Sequence, residues 1–319
     1  MRTDEKINIS ILGGFLGSGK TTLLQNILKE EKKQNRKVAV LLNEIGEHSV
    51  DTDIIGTKIP LKELLNGCIC CTLKNELEIQ LLSLYQQHQP DVIYIETTGV
   101  AHPLEVLDAC LSPIIAPFID IKSIISVVDL KRWMDRYELN QSLQKLLMEQ
   151  IRYSDYLLLN KSDLVTDKEQ SSIQKEIIKI NPKAKINLTT YAQVPLEEIN
   201  HSNRSCGDAH EELHVHNHLH IQTMTYQFKG SVIKKEFDEW IKNLPNNIYR
   251  IKGFLQFEGD QVHTHLFQYS YRSPYSFPQK KTFPKNLVFI GTDFDLDKLK
   301  KELKNLEQNA KQKVSAYLE

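Results

Sequence analysis

Gly14-Phe15-Leu16-Gly17-Ser18-Gly19-Lys20-Thr21 is the stretch on which the reading of this chain turns. It has the form G-x-x-x-x-G-K-[ST]. It lies between a short apolar run, Ile7-Asn8-Ile9-Ser10-Ile11-Leu12, and an amphipathic stretch from Thr21 to Gln34. Strand, loop and helix in that order are the context the pattern needs. Gly17 and Gly19 allow successive backbone N–H groups to turn toward an anion, and the following helix start adds its dipole and unpaired donors. Lys20 is expected to reach the β- and γ-phosphates of a nucleoside triphosphate, and the Thr21 hydroxyl to ligate Mg²⁺. Gly14, Ser18 and Thr22 complete the candidate phosphate-binding set.

Outward from this loop, β-branched runs alternate with helical stretches. Strands are predicted at Val38–Leu42, Val92–Ile95, Ile124–Val128, Tyr156–Leu159 and Lys185–Leu188, and helices at Leu73–His88, Gln141–Arg152 and Lys168–Ile180. Strands separated by helical crossovers imply a doubly wound, mostly parallel α/β sheet. Residues 201–220 lack apolar periodicity in their first half and read as a His-rich linker. Beyond it, strands are predicted at Ile221–Phe228, Tyr249–Phe257, Val262–Tyr271 and Leu287–Ile290, with helices near Val232–Leu244 and Leu296–Leu306. A hairpin is expected across Glu258-Gly259-Asp260. The expected organisation is a nucleotide-binding domain over 1–200, a linker over 201–220 and a smaller α+β domain over 221–319.

Composition narrows the function classes. The chain has 319 residues, of which 40% are hydrophobic and 25% charged, which is globular usage. Lys plus Arg is 40 against 41 for Asp plus Glu, so a net charge of −1 gives no electrostatic case for nucleic acid or an anionic membrane. No apolar run approaches the roughly 18 residues of a membrane helix. The opening residues are too short and too glycine-bounded for a signal peptide. Five cysteines are present and three crowd into positions 68–71, a pattern for a cytosolic thiol or metal site rather than a disulfide framework. A soluble, cytoplasmic protein is expected.

The base is read from Asn160-Lys161-Ser162-Asp163, an N-K-x-D sequence at the end of an apolar strand. A carboxylate at Asp163 accepts from guanine N1–H and the N2 amine together, whereas adenine offers no such donor pair. Asn160 would contact the base edge or brace the loop, and the Lys161 stem would cover the ring. At another strand end, Glu96 is a candidate Mg²⁺ holder and the Gly99 N–H a candidate γ-phosphate sensor. The loop Asn43-Glu44-Ile45-Gly46-Glu47-His48-Ser49-Val50-Asp51 reads as a mobile switch or a solvated acidic loop. Within it Glu44 and Asp51 are candidates to hold Mg²⁺ or position water.

Cys68, Cys70 and Cys71 place three thiolates just before a helix, which suits Zn²⁺ or another thiophilic ion. A fourth ligand would be water, Glu44, Glu47 or His48. Buried free cysteines and a redox pair are the alternatives. Six of the eleven histidines fall between His201 and His220. In extended chain, His214, His216, His218 and His220 share one face, which reads as a weak metal-loading arm. A solvated linker or a strand of the second domain is the alternative. His263 and His265 also share a strand face, but two such residues are more often ordinary surface histidines.

Taken together, Gly14 to Thr21, Asn43-Glu44-x-Gly46-Glu47, Gly67-Cys68-x-Cys70-Cys71, Glu96-x-x-Gly99 and Asn160-Lys161-x-Asp163 resemble the CobW-like metallochaperone GTPases. At greater distance they resemble the nickel-inserting GTPases of urease and hydrogenase maturation. Arg250-Ile251-Lys252-Gly253-Phe254 and Leu287 to Gly291 look like elements of that family's C-terminal domain. At His48-Ser49 the chain departs from the isoleucine or valine followed by glycine frequent in the family. The resemblance implies a P-loop GTPase fold, GTP and GDP with Mg²⁺, and Zn²⁺ (or Co²⁺ or Ni²⁺) bound at the thiols. It also implies delivery of that metal to a client protein, and a homodimer is compatible with it. Two other readings stay open at this point: a metal-buffering or sensing protein with nucleotide as a structural ligand, and a small-molecule kinase.

Overall fold

The computed structural model describes residues 6–42, 61–63, 72–200, 221–260, 262–270 and 272–318. Two compact units make up the chain. One contains the first sheet. The other gathers the chain from Ile221 onward together with Leu111–Pro117, a stretch lying inside the expected first domain.

The first unit is built on seven strands: β1 (Ile7–Gly14), β2 (Val38–Leu42), β3 (Leu61–Glu63), β4 (Val92–Glu96), β5 (Ile119–Asp129), β6 (Tyr156–Asn160) and β7 (Lys185–Leu188). Their order is β3-β2-β4-β1-β5-β6-β7, and every pairing is parallel. The helices are α1 (Lys20–Lys33), α2 (Thr72–His88), α3 (Pro103–Cys110), α4 (Leu130–Met134), α5 (Gln141–Arg152), α6 (Asp167–Ile180) and α7 (Leu196–Asn200). Strands β2, β4 and β6 are buried at every position, as expected where crossover helices cover both faces of a parallel sheet. One layer packs Leu23, Leu24 and Ile27 of α1 on Val40, Tyr94 and Leu158. Another packs Trp133, Ile151, Ile173 and Ile177 on Leu157 and Leu159.

The α/β reading of the first unit holds. β3, α3, α4 and α7 are additions, each short and without a long periodic stretch to announce it. Strand order reverses around β1, which lies between β4 and β5. In such sheets the crevice at the strand C-termini near the reversal is where ligands bind. Register brings three pairs of positions to that edge: Leu12 with Glu96, Gly14 with Val127, and Asp129 with Asn160.

The second unit is a five-stranded antiparallel sheet of β8 (Gln222–Gln227), β9 (Ile248–Leu255), β10 (Thr264–Ser270), β11 (Ser273–Gln279) and β12 (Asn286–Gly291), with helices α8 (Lys234–Lys242) and α9 (Leu296–Leu318). Its order is β11-β10-β9-β12-β8. Phe237 and Ile241 of α8 and Leu299 and Leu303 of α9 pack on Met224, Ile251, Phe267 and Phe289, alternate residues from one face of the sheet. The expected β9–β10 hairpin is present, with Gly259 at φ 87°. β11 was not legible because Pro274 and Pro278 argue against a strand. Both prolines lie on an edge strand opposite Tyr269 and His265. They have no N–H to donate inward, so this parity faces the free edge, where a missing donor discourages pairing with another chain. Among the described residues no helix is long and apolar enough to cross a membrane.

Candidate functional site

The loop between β1 and α1 is shaped by its own glycines and by a residue far along the chain. Gly14, Gly17 and Gly19 all have positive φ, at 132°, 71° and 111°. Gly19 caps α1 in the left-handed region without a side-chain hydrogen bond, and the first turn of α1 contains no acidic residue. The N–H groups and dipole at this helix start are therefore not answered locally, which leaves them available to an anion. A Cβ on Gly19 would stand 2.5 Å from Asn160 Nδ2, so only glycine fits there. The Asn160 amide donates to Ser18 O at 2.8 Å and accepts from Ala192 N at 2.9 Å. Of the two roles expected for Asn160, the geometry is that of the brace. Asn160 and Ser18 are both buried. Ser18 Oγ has no hydrogen-bond partner.

Lys20 is buried, and its ammonium donates to Phe15 O at 3.1 Å, folding the side chain back over the loop. Thr21 Oγ1 donates to Glu96 Oε1 at 2.6 Å, and Glu96 is only 2% exposed. A hydroxyl and a carboxylate in contact beside the phosphate loop are hard oxygen donors of the kind Mg²⁺ takes. Thr22 is half-buried on α1. Past Glu96, Thr97 bonds Leu12 O through both its N–H (3.0 Å) and its hydroxyl (3.1 Å). Gly99 then lies against the phosphate loop: a Cβ there would be 2.5 Å from Leu16 N.

At the other end of the site, Lys161 has φ 60° and its ammonium bonds Asp129 Oδ2 at 2.6 Å. Asp163 sits in the following 3₁₀ turn, Ser162–Leu164, and is exposed. Ser162 Oγ is 3.0 Å from Thr190 Oγ1, and Ser162 N donates to Thr189 O at 3.2 Å. The structure thus brings Gly14, Ser18, Gly19, Lys20, Thr21, Glu96, Gly99, Asn160 and Lys161 to one edge of one sheet.

Sequence reasoning missed Asp129 and the Thr189–Ala192 turn. Asp129 was findable, since it is an acid at a strand end level with Asn160. The turn was not: Tyr191 and Ala192 take positive φ (55° and 50°) with no glycine or proline to signal it. Glu44, Glu47, His48, Asp51, Cys68, Cys70, Cys71, His214, His216, His218 and His220 lie outside the described residues. His263 and His265 are in the second unit, where both bond the Asp260 carboxylate at 3.0 Å. Among the described residues no cluster of three or more His, Cys, Asp or Glu is arranged to hold a metal ion.

The parallel sheet and the loop at its switch point define a P-loop nucleotide-binding protein. The family pattern of the CobW/HypB/UreG nucleotide-binding domain matches residues 8–187, and that of the cobalamin synthesis protein CobW C-terminal domain matches residues 221–307. The chain belongs to the CobW/HypB/UreG family. It is 32% identical over 296 residues to the zinc-regulated GTPase metalloprotein activator 1 of Dictyostelium discoideum, covering 80% of this chain and 57% of that protein. It is 35% identical over 200 residues to the zinc chaperone YjiA of Escherichia coli, covering 60% of this chain and 59% of that one. The chain spans between half and three fifths of the length of the curated relatives named first. Among solved structures, Zn(II)-bound YjiA GTPase from E. coli aligns with a TM-score of 0.49 at 22% identity, over 95% of this chain and 99% of that one.

Proposed function

We propose that this chain is a cytoplasmic GTP-hydrolysing metallochaperone that binds zinc or a related transition metal and transfers it to a client protein under nucleotide control. The observation that carries the nucleotide half is the Asn160–Ser18 bond, which ties the N-K-x-D turn to the phosphate loop across 142 residues of chain. One nucleotide then meets both: phosphates at Gly14 to Thr22, guanine at Asp163, with Lys161 along the ring. Relatives named zinc chaperones and a zinc-regulated GTPase support the metal half, with Cys68, Cys70 and Cys71 as tight ligands and His214, His216, His218 and His220 as the collecting arm. No nucleic acid or membrane partner is proposed.

The chain's own groups account for much of the phosphate chemistry. Lys20 exchanges a neutral carbonyl, Phe15 O, for phosphate oxygens, and the charge-assisted bond is the stronger one. Thr21 and Glu96 are the groups that would hold Mg²⁺, which would supply positive charge against the charge developing on the phosphates. The Gly99 N–H reports whether a γ-phosphate is present. Glu44 and Asp51 are the candidates to position water.

The test is phosphate release from GTP and from ATP, with Lys20→Ala as control, on protein of measured metal content. GTP turnover well above both ATP turnover and the Lys20→Ala rate is expected. GTP turnover no greater than the control would favour the metal-buffering reading, and equal use of ATP would overturn the assignment of the base. Metal affinity should differ between GTP- and GDP-loaded protein, and by linkage the nucleotide affinities should differ by the same factor.

A further inference from the structure

One buried side chain of α5 acts on the nucleotide edge without belonging to any phosphate- or base-binding motif. Gln150 is 2% exposed. Its Nε2 donates to Gly99 O at 3.3 Å and to Ala101 O at 3.2 Å. Two carbonyls face the amide on that side, which only its NH₂ can satisfy, and this fixes the amide's orientation. Gln150 Oε1 is buried and has no hydrogen-bond partner. The backbone of Gln150 is itself pinned: its carbonyl accepts from Ser126 Oγ at 3.1 Å and from Ser154 Oγ at 2.6 Å. On its other side Gly99 lies against Leu16 of the phosphate loop. Gln150, Gly99 and Leu16 thus form a continuous line from the rigid α5 to the phosphate loop.

We infer that Gln150 is the positioning residue for Gly99, clasping the 99–101 carbonyls so that the Gly99 N–H is presented to a γ-phosphate and to no other part of the nucleotide. The inference rests on the GTPase reading above. A γ-phosphate then meets a Gly99 N–H whose following segment the clasp already holds in place. Gln150 belongs to none of the stretches assigned to the base or to the α- and β-phosphates, so its contribution is expected in the triphosphate state.

Gln150→Met keeps length and burial and removes the donor. It is expected to leave GDP affinity within about twofold, to weaken a non-hydrolysable GTP analogue about tenfold, and to lower kcat by a similar factor. Gln150→Glu puts a carboxylate opposite two carbonyls, and its larger loss should shrink as pH falls and the protonated carboxyl regains a donor. In the unaltered protein, the Gln150 side-chain amide resonances should differ between the GDP and GTP-analogue complexes, a readout that needs no variant to fold. Equal weakening of GDP and analogue, no weakening of either, or identical resonances in the two complexes would overturn the inference. The GTPase reading fails separately, on wild-type protein that releases no phosphate.

Discussion

Gly19 shows how one residue serves both conformation and contact. Its φ of 111° is outside the range that L side chains adopt readily, and the volume beside it is filled by the Asn160 amide, 2.5 Å from where a Cβ would stand. Gly19→Ala is expected to destabilise the chain by about 1–3 kcal/mol, from left-handed backbone strain together with displacement of Asn160. It should also weaken nucleotide binding, because the brace to Ser18 goes with it. Chemical denaturation and nucleotide titration of the same variant check this, and an unchanged unfolding midpoint would contradict the contact. Asp129 uses both carboxylate oxygens: one holds the Lys161 ammonium and the other accepts from Arg132 N at 3.0 Å, capping α4. A single carboxylate thereby sets both the Lys161 ammonium and the start of a helix.

Among the described elements, the β9–β10 turn carries a pH signature. The Asp260 carboxyl is held down to about 2, foremost by its hydrogen bond with the His265 ring, then by the backbone N–H and ring of His263. A depressed carboxylate stabilises the folded state above its ordinary value of 3.8, and that contribution is lost as pH falls through about 2. An NMR titration of the Asp260 carboxyl should therefore show a midpoint near 2. Asp260→Asn should flatten the acid limb of the stability profile below pH 4, and a midpoint near the ordinary value would remove the hairpin's contribution. Helix starts also differ by role. Thr166 and Glu169 form a capping box at α6, and Asn140 caps α5, so those ends are closed by their own side chains. α1 has no such cap, and it is the helix that follows the phosphate loop.

For the molecule as a whole, two cores of different construction must each hold. The second unit depends on a cluster of aromatic rings: Phe237 packs edge-on to Phe267 at 5.0 Å and to Phe257 at 6.0 Å, and lies 5.7 Å from Trp240. Phe237→Ala should cost about 3–5 kcal/mol, the range for removing a fully buried ring. Urea denaturation of the full chain, with amide exchange followed in β8 to β12, would register the loss. Exchange there as slow as in the unaltered protein would mean that the ring cluster is not what holds that sheet. In the first unit the apolar layers are mostly aliphatic, with Tyr94 and Trp133 among them, and at the strand ends buried Glu96, Thr97 and Asn160 each find a partner.

The local sequence was sufficient for the strand–loop–helix around Lys20, for the alternation that makes a parallel sheet, and for the strand-end turn at Asn160 to Asp163. Those features are written in windows of a few residues, through periodicity and fixed spacing. What it left open were relations between distant windows. Whether Asn160 reads the base or braces the loop depends on how β6 stands to β1, and only the sheet order brings its amide to Ser18. Thr21 meets Glu96 across 75 residues for the same reason. Gln150 looks in sequence like one more polar residue of an amphipathic helix, and Tyr191 like an ordinary strand-end aromatic. Neither carries a local pattern, because the role of each is set by what lies opposite it. β11 shows the converse: its prolines are a correct local argument against a strand, overridden because an edge leaves their missing N–H groups facing away from any partner.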